Sequence, residues 1–153
     1  MIKKISGGLF LVIIAIAWIA PIGPMPGFII GGVESPTPTS WGDTKPVHEV
    51  RLAANGIVPR VVIIWVVQLD GELYVLGAND SGWVERLGKD KEARVRIKDK
   101  TYQVTAIRQT ESLARITEAY WSKYEPDYPS LIAGMKDTPR NSVSIFRLSR
   151  PAA

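Results

Sequence analysis

The sequence predicts a mainly β, α+β domain: six strands closed as a small barrel with one longer helix, preceded by an N-terminal transmembrane helix. Three observations carry this. Val61-Val62-Ile63-Ile64-Trp65-Val66-Val67 is apolar without alternation, so both faces of that strand are covered, one by a barrel interior and the other by a helix or a partner subunit. Asp70-Gly71, the preferred type I′ turn dipeptide, folds it back into Glu72-Leu73-Tyr74-Val75-Leu76. Arg94, Arg96 and Lys98 alternate with Val95 and Ile97, which marks a second, basic hairpin returning through Tyr102, Val104 and Ala106.

The chain divides at two composition changes. Residues 1–33 form an anchor or signal segment, with Lys3 and Lys4 at its start and no charged side chain from Ile5 to Val33. A helix over Lys3 to Ala20 would rise about 27 Å, close to the bilayer's hydrocarbon thickness of about 30 Å, and Pro21, Pro24 and Pro26 stop it. Phe28-Ile29-Ile30 then suits the membrane interface. The positive-inside rule places the N-terminus in the cytoplasm and the domain on the outer, periplasmic or extracellular side. The alternative is a cleaved signal peptide, for which Ala15-Ile16-Ala17 offers the small-x-small pattern. Residues 34–45, with Pro36 and Pro38 among threonines and serines, read as an extended linker that sets the domain off the membrane. Residues 46–150 are the domain.

Within the domain, His48, Val50 and Leu52 alternate with polar positions as a half-buried first strand, closed by Asn55-Gly56. The long hairpin follows. Asp80 or Ser81 caps a short helix through Leu87, ended by Gly88. The basic hairpin turns at Asp99-Lys100. Thr110 caps an amphipathic helix carrying Leu113, Ile116, Tyr120 and Tyr124, with Glu111 in its first turn and Pro126 ending it. A loop leads to a last strand, Ser142 to Leu148, with Val143 and Ile145 on one face and Phe146 and Leu148 on the other. An open sheet of this length would leave long edges, so closure is expected.

Composition excludes several chemistries. The 153 residues contain no cysteine, which removes disulfides, thiol nucleophiles and cysteine-held metals; with one histidine, His48, no metal centre is expected. His48 reads as a strand residue with a solvent or backbone partner, or as a proton relay. Lys3 and Lys4 are two of the 19 basic residues and no acid precedes Glu34, so the rest of the chain holds 17 basic against 15 acidic residues. That balance does not call for nucleic acid. The cluster Lys89, Lys91, Arg94, Arg96, Lys98 and Lys100 is either a solvated strand face or a surface for an anionic cofactor, a lipid headgroup or a partner.

The run Pro59-Arg60-Val61-Val62-Ile63-Ile64-Trp65, the hairpin through Leu73-Tyr74-Val75, Ser81-Gly82-Trp83-Val84-Glu85-Arg86-Leu87, then Ala93-Arg94-Val95-Arg96-Ile97 and Tyr102, resembles the split β-barrel flavin-binding superfamily of pyridoxamine phosphate oxidase. Within it the chain looks closest to the deazaflavin-dependent nitroreductase branch. The resemblance covers Val47 to Leu148 and implies a homodimer. It also implies a flavin phosphate held by Arg60 and Ser81, with Val62, Gly82, Trp83 and Arg86 completing the cofactor site. Tyr124 and Tyr128 would line a substrate pocket. The chain departs from the pattern where Trp65 and Trp83 replace lysines and where Ala53-Ala54-Asn55-Gly56-Ile57 replaces a basic glycine-rich turn. Each charge-assisted phosphate contact contributes roughly 1.5–3 kcal/mol, so losing two weakens binding by about two to four decades.

Two functional readings follow. In the first, the protein is a membrane-anchored oxidoreductase using FMN or a deazaflavin, transferring hydride to a small molecule. The cofactor carries that chemistry, so a chain poor in catalytic side chains is no obstacle. In the second, the barrel has no cofactor and acts as a tethered accessory domain for a protein partner, its vacated groove filled by Trp65 and Trp83. Both tryptophans also suit core or dimer packing, and Tyr120, Trp121, Tyr124 and Tyr128 suit helix packing as well as a pocket.

Overall fold

Six strands close on themselves, and a seventh is laid on from outside. The computed structural model describes residues 26–89 and 91–151. In chain order the elements are β1 (Val33–Glu34), β2 (Glu49–Ala54), β3 (Arg60–Leu69), β4 (Glu72–Ala78), α1 (Gly82–Lys89), β5 (Glu92–Ile97), β6 (Lys100–Arg108), α2 (Leu113–Tyr124), α3 (Pro129–Lys136) and β7 (Val143–Ser149). The sheet runs β6-β5-β2-β3-β4-β7 and closes by β7 pairing with β6 at Thr105–Arg108. Asp70 and Gly71 both have positive φ, 53° and 80°, as the expected I′ turn requires.

Closure is complete at one end only. β4 pairs with β3 from Val66 onward, and β7 reaches β6 only from Thr105 onward. One edge of β3 near Val61 and one edge of β6 near Lys100 are therefore left by the barrel strands. α1 plugs the interior, because Trp83, Val84 and Leu87 fall on one helical face and join Leu52, Val95 and Phe146 in the core. Outside, α2 and α3 cover the other end of β3, with Ile116, Tyr120 and Ile132 packed on Val67 and Ile145.

The two vacant edges are filled by the N-terminal segment. Gly27 exchanges both backbone hydrogen bonds with Val61, each 2.8 Å, on the free side of β3. The chain then crosses the outer face, where Ile30 is 5% exposed against Ala53 and Val61. It ends as β1, parallel to β6 at Lys100 and Thr101. Arg96 and Arg51 donate to the Ile30 carbonyl at 3.1 and 3.4 Å, Thr101 Oγ1 donates to Gly31 at 2.6 Å, and Arg94 pairs with Glu34 at 3.2 Å. Part of the basic cluster thus secures this strap. Gly31 and Gly32 carry φ of 65° and 86°, and a Cβ on Gly32 would stand 2.6 Å from Thr101 Oγ1, so the crossing needs glycine there.

Several expectations change. The segment read as a free linker is bound: Ser35 N–H donates to Thr101, Thr37 Oγ1 donates to Gln103 at 2.6 Å, Trp41 packs edge-on against Tyr102, and Thr44 bonds to Gln68. α2 covers the Val67 end of the outer face of β3 and the strap covers its Val61 end, while Ile63 between them is part-exposed. Gly88 lies inside α1, not at its end, and a Cβ there would make only an ordinary contact, 3.5 Å, with Arg108 Nη2. The basic hairpin turns one residue early, at Lys98, whose φ is 56°. α2 begins at Leu113 behind a left-handed Ser112, leaving Thr110 and Glu111 outside, and α3 occupies the expected loop with Pro129 in its first turn. No helix among the described residues is long and apolar enough to cross a membrane; the anchor read over Lys3–Ala20 and the cleavage site at Ala17 lie outside them.

Candidate functional site

Arg60 opens β3 opposite Ala54, and the chain enters α1 beside it. Its guanidinium lies over Gly82: a Cβ there would stand 3.1 Å from Nη1, 3.2 Å from Cζ and 3.4 Å from Nε. Gly82 is therefore what lets the arginine reach the first turn of the helix. Arg60 Nε is buried and has no hydrogen-bond partner among the described residues. The first backbone N–H groups of a helix have no intrahelical acceptor, and the helix dipole makes that end attractive to anions. Arginine and helix end converge, so the arrangement suits a phosphate or carboxylate.

The remaining expected phosphate contacts are spoken for. Ser81 Oγ donates to the Ala78 carbonyl at 2.7 Å, and the Ser81 carbonyl accepts from Glu85 N–H at 3.1 Å. Ser81 shapes the turn into α1, and its hydroxyl must rotate to donate to a ligand. Arg86 Nη1 donates to the Val58 carbonyl and lies over Gly56, which pins the β2–β3 loop. Val62 and Trp83 point into the barrel core, at 9% and 6% exposure, and the Trp83 indole presses on Gly77 and sits 6.2 Å from the Phe146 ring. Trp65 lies on the outer face. It stacks on Tyr124 at 4.2 Å and 5°, so the two tryptophans occupy opposite sides of the barrel wall and fill no common groove.

Tyr124, the last residue of α2, is fully buried. Its hydroxyl accepts from Val66 N–H at 3.1 Å and donates toward the carbonyls of Val66 (2.7 Å) and His48 (2.5 Å). Burial holds its pKa well above the ordinary phenol value. Lys123 beside it donates to Val47 at 2.6 Å and Val66 at 2.9 Å, and burial pulls its pKa down. These two side chains clamp the start of β2 to β3, a role that sequence reading missed because none of the three carbonyl acceptors leaves a signature. Tyr128 is 42% exposed, tilted over Trp65 at 5.0 Å. His48 Nδ1 lies 4.0 Å from Asp127, both half exposed, a weak surface pair. No metal-holding cluster of carboxylates and histidine occurs among the described residues. A groove of about 620 Å³ runs beside the strap between Glu34, Thr37, Arg94, Tyr102 and Arg150, and none of Arg60, Ser81 or Gly82 lines it.

Residues 42–145 match the model of a family described as uncharacterized proteins conserved in bacteria, DUF2255. No curated protein matches the chain significantly. Among solved structures, a conserved hypothetical protein of Mycobacterium tuberculosis is 19% identical, with 71% of this chain and 76% of that one covered and a TM-score of 0.58. The heme storage protein HutZ of Vibrio cholerae is 13% identical (71% and 85% covered, TM-score 0.54). A pyridoxamine 5'-phosphate oxidase-like protein of Listeria innocua is 13% identical (69% and 85% covered, TM-score 0.52). These likenesses establish the fold as a split β-barrel of the pyridoxamine phosphate oxidase-like kind. They do not single out the deazaflavin-dependent branch.

Proposed function

The chain belongs to the DUF2255 family of uncharacterized proteins conserved in bacteria, and from that premise we propose that its barrel binds the phosphate end of FMN or a deazaflavin and acts, tethered by the apolar leader, as an oxidoreductase. The observation that carries the reading is Arg60, laid over Gly82 at the start of α1 with a buried, unpaired Nε. A bound flavin would supply hydride chemistry toward a small molecule. The chain's own residues fit the anionic end of such a group: Arg60 and the helix end bind it, Gly82 keeps the approach open, and Arg86 steadies the adjoining loop. HutZ, with the same fold, is a heme storage protein, so heme is the natural control ligand.

Arg60→Ala should lower flavin affinity at least tenfold, since one charge-assisted contact contributes about 1.5–3 kcal/mol. Fluorescence titration of the full chain in mild detergent with FMN and with a deazaflavin measures this. Equal affinity for the variant removes Arg60 from the site. The second reading, a tethered accessory domain without cofactor, is favoured by the commitment of Ser81 and Arg86 to backbone carbonyls. A wild-type protein that is colourless and binds neither flavin would establish that reading and direct attention to a protein partner or a homodimer.

A further inference from the structure

We propose that the barrel is seated directly on the bilayer holding its leader, with Phe28, Ile29, Ile57 and Val58 embedded at the boundary of headgroups and acyl chains. The inference rests on the membrane-anchor part of the function proposed above. These four side chains are 43%, 55%, 106% and 49% exposed. Single exposed apolar residues are ordinary, but grouped ones mark an interaction surface. Two neighbouring segments carry them. Phe28 and Ile29 follow Gly27, whose backbone is bonded to Val61, and Val58 lies three residues before Val61, a span of about 10 Å in extended chain. The loop bearing Ile57 is held in shape by Arg86, through the Val58 carbonyl and the contact over Gly56. Its isoleucine is therefore displayed by a fixed support.

The occupant follows from the chain that enters this patch. Phe28 and Ile29 belong to the uncharged run of the leader, Ile5 to Val33. An anchor helix ending at Ala20, as the sequence predicts, leaves six residues before Gly27, which reach about 20 Å at most. The threonine- and proline-rich segment cannot lengthen that tether, because it lies beyond the strap and residues 33–37 are bonded to β6. A barrel held this closely presents the end carrying Phe28, Ile29, Ile57 and Val58 to the lipid, in the way interfacial apolar side chains insert.

The absence of cysteine makes the test direct, since one introduced thiol is unique. Ile57→Cys is spin-labelled in the full chain and reconstituted in phosphatidylcholine–phosphatidylglycerol vesicles. Arg115→Cys serves as the distant control: its guanidinium meets Asp70 at 3.0 Å, at the far end of the ten-residue β3, about 30 Å away. The ratio of label accessibility to oxygen over accessibility to a water-soluble nickel chelate should be severalfold higher at position 57 than at 115. Equal ratios, with the protein still resistant to alkaline carbonate extraction, would overturn the seating and leave the anchor standing. Release by carbonate would overturn both.

Discussion

Gly77→Ala is the substitution whose cost the geometry fixes most tightly. Gly77 pairs with Ser144 in the β4–β7 ladder, and a Cβ there would stand 2.1 Å from Trp83 Cζ2 and 2.9 Å from Cε2 and Cη2. Carbon atoms rest about 3.5–4.0 Å apart, so the indole must retreat by roughly 1.5 Å. Trp83 is 6% exposed with Phe146 beside it, which leaves little room, and the ladder holds Gly77 in place. Overpacking of a filled core costs about 1–3 kcal/mol, offset by roughly 0.4–1 kcal/mol from the stiffer unfolded chain. A net loss of about 1–2 kcal/mol is expected. Urea denaturation followed by far-ultraviolet circular dichroism should show the midpoint falling by roughly 1 M, at the usual slopes of about 1–3 kcal/mol per molar. Trp83→Phe removes the atoms the new methyl meets, so the double variant should be more stable than the two losses summed by about 1 kcal/mol or more. Additivity within about 0.5 kcal/mol would refute the argument.

Tyr124→Phe strips a buried hydroxyl that serves Val66 and His48 and should cost about 1–3 kcal/mol in the same denaturation assay, with no loss of ring packing. Stability should also fall at high pH. Burial raises the pKa of Tyr120 and Tyr124 above the ordinary 10.0, so between that value and the folded one the native state holds protons the unfolded chain has released. Stability is then complete below pH 10 and declines above it by about 1.4 kcal/mol per pH unit for each phenol. Lys123, whose pKa is lowered, acts in the opposite sense as pH rises toward 10.5, so thermal unfolding of Lys123→Met should show a steeper alkaline decline than wild type.

The barrel was legible because its signals are local. The Asp70-Gly71 turn, the alternation of Val95 and Ile97, and the two faces of Phe146 and Ile145 each read from adjacent residues and all agree with the structure. The strap was not legible, because its stability comes from partners 21 to 70 positions away, and a Gly- and Pro-rich segment looks the same bound or free. Ile30 is buried by Ala53 and Val61, which no periodicity in its own neighbourhood announces. α3 was missed because Ile132 is its one buried residue, although Pro129 in the first turn was a usable signal. At the candidate site, the choice of Arg60 rested on resemblance, and the structure adds its contact with Gly82. Arg86 shows the limit of reading charge from sequence: the same arginine suits a phosphate or a carbonyl, and the Val58 carbonyl took it.

The strap also imposes an order on biosynthesis. Its first residues leave the ribosome before anything they bind exists, since Gly27 waits for Val61 and Val33 waits for Lys100. At about 5–20 residues per second, the 67 positions between Val33 and Lys100 take roughly 3–13 seconds to make. Throughout that interval the nascent chain carries an unpaired strand next to its apolar leader. Two glycines and the prolines at 36 and 38 keep that strand short and poorly suited to pairing elsewhere. β6 must therefore be synthesised before β1 can settle, and a nascent chain truncated before β6 has β3 to receive Gly27 but no edge to receive β1.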